Sequence, residues 1–120
     1  MYEILPKSDD RFVALRMTGK LEKSDYETLL PLLKDRIGRS GKISLYWEMR
    51  DFEGWTWDAL GADARFDMEH KDDFLRIAMV GEKIWHEWMT KLMKPFTSAE
   101  VRYFDLAECE SAKAWARTGE

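Results

Sequence analysis

Apolar and polar residues alternate along several short segments of the chain, which is the pattern of β-strands with one buried face. Tyr2–Leu5 and Arg11–Thr18 read as two strands, and the turn-like residues between them favour an antiparallel hairpin. Lys42–Arg50 predicts a third strand. The apolar residues on one face of that third strand are Ile43, Leu45, Trp47 and Met49.

Apolar residues recur at helical spacing between the second and third predicted strands. The residues of this stripe are Tyr26, Leu29, Leu30, Leu33 and Ile37. Ser24 and Glu27 fit a capping box at the start of the helix, and Gly38 and Gly41 fit its end. Pro31 lies inside the stripe and predicts a kink or a restart of the helix, because proline has no backbone N–H to donate.

The second half of the chain alternates helices with strands. The predicted elements are, in order, helix Trp57–Asp72, strand Phe74–Gly81, helix Ile84–Met93, strand Glu100–Phe104, and a helix introduced by a capping box at Asp105–Glu108. The buried side of that last helix is predicted to be Leu106, Cys109, Ala112, Trp115 and Ala116. The order β-β-α-β-α-β-α-β-α predicts a single α/β domain over residues 1–120, with a mostly parallel five-stranded sheet, an N-terminal β-hairpin and four helices.

A set of residues in this order carries a family resemblance. The set is Glu48, Asp51–Trp55, Asp63, Phe66, Arg76–Gly81, Trp85, Pro95–Phe96, Val101–Phe104, Ala112 and Trp115. It resembles the SpoIIAA-like family, whose fold is shared by STAS domains and is related to the Sec14 (CRAL-TRIO) lipid-binding fold. The resemblance implies the fold, and it suggests binding or regulation rather than one defined activity.

The chain departs from that family at one motif. Anti-sigma-factor antagonists of the STAS type carry Asp-Ser-Ser-Gly after the corresponding strand, and a kinase phosphorylates the second serine. Aligning Asp51 and Gly54 with that motif places Phe52 and Glu53 at the serine positions, so a phosphoacceptor is missing there. Thr56 is the nearest hydroxyl. The alternative function is therefore a regulatory protein interaction through residues 51–56 that works without phosphorylation.

Charge and cysteine content narrow the function classes. The net charge of −4 is unfavourable for a nucleic-acid surface, which needs a basic stripe. The single cysteine excludes an internal disulfide and a multi-cysteine metal site. The first residues show no basic segment followed by an apolar run, and no apolar run reaches membrane-spanning length, so we expect a cytoplasmic protein without an integral membrane segment.

Six tryptophans and seven methionines are many for 120 residues, and several cluster near predicted strand ends. Trp55 and Trp57 follow the Lys42–Arg50 strand in an apparent loop, and helix Ile84–Met93 has two adjacent apolar rows. Ligands of open α/β sheets bind at the carboxyl ends of strands. We therefore predict an apolar groove for a lipid-like small molecule or a protein partner, a second copy of the chain included. Its predicted lining is Phe52, Trp55, Trp57, Phe66, Trp85, Trp88 and Met89. The alternative is that all these rings pack inside the core.

Two sets of polar residues are further candidates for a functional site. Glu48 and Arg76 lie in predicted strands and are expected to form an ion pair, either structural or as a polar anchor at the floor of the groove. Asp63, Asp67 and His70 share a helical face, which would suit a metal or acid–base site. The run that surrounds them is charged, however, and an ordinary solvated face is the preferred interpretation.

Catalytic patterns are missing from the sequence. We find neither a Ser-His-Asp arrangement nor a phosphate-binding glycine loop, and His86 is expected at the surface. The sequence thus predicts a non-enzymatic binding module with no cofactor and no metal.

Overall fold

A computed structural model describes residues 1–6, 8–9, 11–82 and 84–119, without the side chains of Ile84, Trp85 and Phe96. The strands are β1 (Tyr2–Ile4), β2 (Phe12–Leu21), β3 (Ile43–Trp55), β4 (Phe74–Gly81) and β5 (Glu100–Asp105). The helices are α1 (Lys23–Ser40), α2 (Trp57–Glu69), α3 (Ile84–Met93) and α4 (Cys109–Thr118), with short 3₁₀ turns at Lys94–Phe96 and Leu106–Glu108. None of the described helices has the length and apolar character needed to cross a membrane.

The sheet follows the order of the chain, β1-β2-β3-β4-β5. β1 pairs with β2 in antiparallel fashion, and the three remaining pairs are parallel. This confirms the predicted α/β fold with its N-terminal hairpin. Crossovers of one hand between successive neighbours carry their helices to the same side of the sheet. Accordingly α1, α2 and α3 pack on one face, which we call the three-helix face, and α4 packs on the other.

Alternation along the strands builds a separate core on each face. On the three-helix face, β3 presents Leu45 and Trp47, and β4 presents Ile77 and Met79. The α4 face takes the intervening residues of the same strands, together with one side of α4. The buried residues there include Phe12, Ala14, Tyr46, Ala78, Val80, Phe104, Ala112, Trp115 and Ala116. The apolar character of β3 and β4 on both sides follows from this two-sided cover.

Helix α1 differs from its prediction at two points. Its N-cap is Glu22 and its capping partner is Asp25, whose Oδ2 accepts from the Glu22 backbone N–H at 2.9 Å, so the predicted Ser24–Glu27 box is wrong. The helix also runs through Pro31 without restarting. Pro31 and Glu27, whose carbonyl would otherwise accept from residue 31, are both exposed, so water can satisfy that carbonyl.

The segment predicted as an aromatic loop is strand. β3 continues to Trp55, and Phe52, Gly54 and Trp55 pair with β2 through a bulge at Gly19. Asp51 at φ 51° and Gly54 at φ 109° bend the strand. The bend turns Phe52 fully into the core. The loop prediction failed because the extra residues pair with a strand distant in sequence.

Glu48 is buried on the α4 face, away from the three-helix face. Its carboxylate accepts from Tyr46 Oη at 2.6 Å, from Arg16 Nε at 2.6 Å and from Arg50 Nε at 3.2 Å. Burial alone would raise the pKa of Glu48, but these three donors outweigh it and hold the pKa below its usual value. Glu48 is therefore ionised, and its interactions join β2 to β3.

The expected pair between Glu48 and Arg76 is not formed. Arg76 also lies on the α4 face, where its Nε donates to the Ala116 carbonyl at 3.1 Å and its Nη2 to the Arg117 carbonyl at 3.2 Å. These are carbonyls at the end of α4, where a cation is favourable. The prediction of a Glu48–Arg76 anchor in the groove is wrong, because each side chain has a nearer partner and both lie on the other face of the sheet.

We predict that Glu48→Gln lowers the free energy of unfolding by about 2 kcal/mol, because it weakens charge-assisted hydrogen bonds to a buried group. Urea denaturation at neutral pH measures this. Glu3→Gln is the matched control: Glu3 also contacts Arg16, at 3.3 Å, but is exposed, so its loss is expected to stay below about 0.5 kcal/mol. Equal losses in the two variants would contradict the structural role of Glu48.

Candidate functional site

A cavity of about 350 Å³ lies on the three-helix face and is partly open to solvent. Leu45 and Trp47 of β3, with Ile77 and Met79 of β4, form its floor. Its walls come from one side of α1, from α2, and from Met89, Leu92 and Met93 of α3. The volume is within the usual range of small-molecule pockets, about 300–1,000 Å³, and the lining is almost wholly apolar, as in such pockets.

The cavity exists because the three helices do not share the sheet evenly. α1 and α2 pack against each other and on β3, whereas α3 packs on β4 and β5. A gap above the middle of the sheet separates the side chains of α1 and α2 from those of α3. Leu60 of α2 and Leu92 of α3 line this gap while remaining 41% and 65% exposed, so they mark its mouth.

Four polar side chains line one part of the cavity: Tyr26, Trp55, Asp63 and Asp67. Trp55 Nε1 donates to Tyr26 Oη at 2.7 Å. The Tyr26 hydroxyl also lies near enough to the Asp63 carboxyl group to lower its pKa. Asp67 follows Asp63 by one helical turn on α2. An indole, a phenol and two carboxyl groups thus lie together along an apolar wall.

Both carboxyl groups have raised pKa values. Burial raises the pKa of Asp63 to about 7, although the nearby Tyr26 hydroxyl partly opposes this. Burial, followed by the charge of Asp63, raises the pKa of Asp67 to about 8. Neither carboxyl group has an ion pair within the described ranges. The pair therefore titrates near neutral pH as a coupled unit.

Trp47 on the cavity floor also has an unsatisfied polar group. Its side chain is only 6% exposed, and its indole N–H finds no acceptor in the part of the chain that the structure describes. A buried donor without a partner is unfavourable. The Trp47 N–H is thus an unsatisfied donor inside the core beneath the cavity floor, with no surface accessible from the cavity.

Comparison with known proteins identifies the family to which this fold belongs. A family model described as SpoIIAA-like matches residues 12–117, nearly the whole chain. The chain belongs to the SpoIIAA-like family. No curated protein matches it. Among solved structures it is similar to an uncharacterized protein from the DUF3478 family with a SpoIIAA-like fold from Shewanella loihica PV-4. The two are 26% identical with a TM-score of 0.75, over 94% of this chain and 92% of the other.

The cavity of this SpoIIAA-like chain contains only some of the residues predicted for it. Trp55, Phe66 and Met89 line it. Phe52 supports it from behind, with its ring edge-on to Trp55 at a centroid distance of 5.0 Å. Trp57 is 88% exposed and Trp88 is 64% exposed, and neither lines the cavity. The side chain of Trp85 lies outside the described residues.

The segment Asp51–Thr56, aligned above with the phosphoacceptor motif of STAS-type anti-sigma-factor antagonists, has structural roles here. The Thr56 hydroxyl accepts from the Ala59 N–H at 3.2 Å and caps α2. The Asp51 N–H donates to Glu82 Oε1 at 2.8 Å. The side chains of Asp51 and Glu53 are exposed, and Gly54 is buried in β3.

Sequence reasoning missed Tyr26 as a site residue and assigned Asp63 and Asp67 to a solvated face. The signal available in the sequence was the position of Asp63 and Asp67, three residues before and one residue after Phe66, a large apolar residue of α2. His70 does not join the two aspartates, because its Nδ1 lies 2.8 Å from Asp73 Oδ2. No metal-binding group of three or more His, Cys, Asp or Glu occurs among the described residues.

His86 was expected at the surface but is fully buried beside Gly81. A Cβ on residue 81 would lie 2.6 Å from His86 Nδ1, so only glycine leaves room for the ring. The surface prediction was wrong because nothing local in the sequence signals this close approach of β4 and α3.

The raised carboxyl pKa values predict a pH-dependent stability. Between the ordinary aspartate pKa of 3.8 and the native value of about 8 for Asp67, the native state binds more protons than the unfolded state, so stability falls as pH rises. Asp67→Asn removes this penalty. After allowance for screening at the cavity mouth, we expect it to raise the free energy of unfolding by about 1–2 kcal/mol near pH 8 and by much less near pH 5.

Urea denaturation at both pH values measures the difference between the variant and the wild type. Glu69→Gln is the control, since Glu69 is an exposed carboxylate on the same helix. A gain for Asp67→Asn that is the same at both pH values, or a matching gain for Glu69→Gln, would show that burial of Asp67 does not cause the effect.

Proposed function

We propose that this protein is a non-enzymatic binding module that holds an apolar small molecule in the cavity of its three-helix face. The observation that carries this proposal is the apolar cavity of about 350 Å³ between the sheet and the three helices. A lipid-like molecule is the class that the resemblance to the Sec14 fold suggests.

Packing energetics support this proposal. Protein interiors are close-packed, and side chains that line a void lose dispersion contacts on that side. A ligand that fills the cavity restores those contacts to Leu45, Ile77 and Met79 and removes their surfaces from water. Binding would therefore stabilise the native state in proportion to the ligand's affinity.

The mouth of the cavity supports entry of an apolar molecule. Leu60 and Leu92 contribute exposed apolar surface from α2 and α3 at the opening. Apart from its few polar side chains, the described lining is apolar, as in pockets that hold small molecules.

We predict that Ala64→Trp weakens binding of the neutral fluorescent probe N-phenyl-1-naphthylamine by at least about tenfold, or 1.4 kcal/mol. Ala64 lies at the exposed edge of the lining, so a bulky ring there obstructs the cavity without overpacking the core. The rise in probe fluorescence on transfer to an apolar site gives the dissociation constant.

Ala114→Trp is the control, because Ala114 is an exposed helical alanine on α4, on the other side of the sheet. It is expected to bind the probe like the wild type. Wild-type protein that fails to bind neutral apolar probes, or two variants that bind them equally, would refute a ligand site in this cavity.

Self-association is a second proposed role, favoured by the exposed row on α3. Trp88 and Leu92 lie one turn apart and are 64% and 65% exposed, which is unusual for large apolar side chains. A homodimer formed through this row would cover them. The regulatory alternative through residues 51–56 stays a prediction, for which the exposed Asp51 and Glu53 are the available contacts.

We predict that Trp88→Glu converts a wild-type dimer into a folded monomer, because a carboxylate at the centre of an apolar interface lacks a partner. Multi-angle light scattering gives the mass, and circular dichroism checks folding. Met68→Glu is the control, since Met68 is 65% exposed on α2. A wild-type protein that remains monomeric at millimolar concentration excludes this role.

A further inference from the structure

Resting on the proposed binding function, we propose that the cavity selects a cationic amphiphile: an apolar chain or ring system that carries a protonated amine. The apolar part occupies the space over β3 and β4, and the ammonium group contacts the carboxylates of Asp63 and Asp67. The ligand class is thus defined by its head group as well as by its apolar body.

The position of the two carboxyl groups supports this proposal. Asp63 and Asp67 both line the cavity and are half-buried there, so a bound ligand can reach them. They lie one turn apart on α2, which brings both within reach of one ammonium group. An ammonium group donates three hydrogen bonds, enough to serve both carboxylates and one further acceptor.

Among the described residues, no basic side chain faces the Asp63–Asp67 carboxyl pair in the cavity. Facing them, α1 contributes the Tyr26 hydroxyl and β3 contributes the Trp55 indole, while the lining from β4 and α3 is apolar in the described residues. The basic residues nearest along the helices, Lys34 and Arg65, line a separate groove between α1 and α2. Within the described chain, negative charge in this cavity therefore has hydrogen-bond donors but no cation.

The free energy of charging these groups favours an amine over other head groups. Burial in apolar surroundings and mutual repulsion both oppose ionisation of the pair, which is why the pKa values of Asp63 and Asp67 are raised. A bound ammonium offsets both effects and returns the carboxyl groups to their ionised form. A bound carboxylate would add a like charge instead. A fatty acid is therefore the disfavoured lipid-like ligand.

Three probes of equal chain length test the proposal: decylamine, decanol and decanoate. Near pH 8 an alkyl amine is protonated and a carboxylic acid is ionised, as for lysine and glutamate side chains. We expect displacement of N-phenyl-1-naphthylamine to show decylamine binding at least about tenfold more tightly than decanoate, with decanol between them. Calorimetry near neutral pH should detect protons released from the protein with decylamine and none with decanol.

Asp63→Asn and Asp67→Asn, alone and combined, are expected to remove the preference for decylamine while decanol binding persists. Retained decanol binding shows that each variant is folded. Glu69→Gln is the control and should keep the preference. If decanol binds but decylamine has no advantage, or if the advantage survives in the double variant, the inference is overturned and the binding function stands. If none of the three probes binds, both fail.

Discussion

The packing of three helices on one face of a five-stranded sheet is the constraint on which the other features depend. Because the strands follow one another in space as in sequence, same-handed crossovers bring α1, α2 and α3 to that face and leave only α4 for the other. α1 and α2 stay together over β3, and α3 stays over β4 and β5. The cavity is the space this division leaves, so it is a property of the topology rather than of one loop.

The two faces of the sheet divide the polar groups by role. On the α4 face, Glu48 has three donors and a lowered pKa, and its charge is fully compensated inside the protein. On the three-helix face, Asp63 and Asp67 have raised pKa values and no ion pair within the described chain. The first arrangement stabilises the fold. The second costs stability at neutral pH, which is typical of groups retained for binding.

Hydrophobic periodicity was sufficient for the order of elements, because the apolar stripes of α1 and the two-sided burial of β4 are local patterns. It was insufficient where the outcome depends on distant pairing. Residues 51–55 join the sheet only through a bulge against β2, and the local sequence alone resembles a loop. Asp63 and Asp67 lie near a charged run, so their partial burial follows from the approach of α1 and could not be inferred from composition. The pair between Glu48 and Arg76 was predicted from their opposite charges alone. In the structure each side chain instead contacts the groups that lie within hydrogen-bonding distance of it.

Methionine methyl NMR would test the central claim, that an apolar ligand occupies the space between the sheet and the three helices. Met79, Met89 and Met93 line the cavity, whereas Met17 is sealed in the core and Met68 is exposed on α2. Titration with a neutral apolar probe should shift the ε-methyl signals of Met79, Met89 and Met93 together and leave those of Met17 and Met68 in place. Shifts confined to Met68, or no shift at saturating probe, would contradict the account.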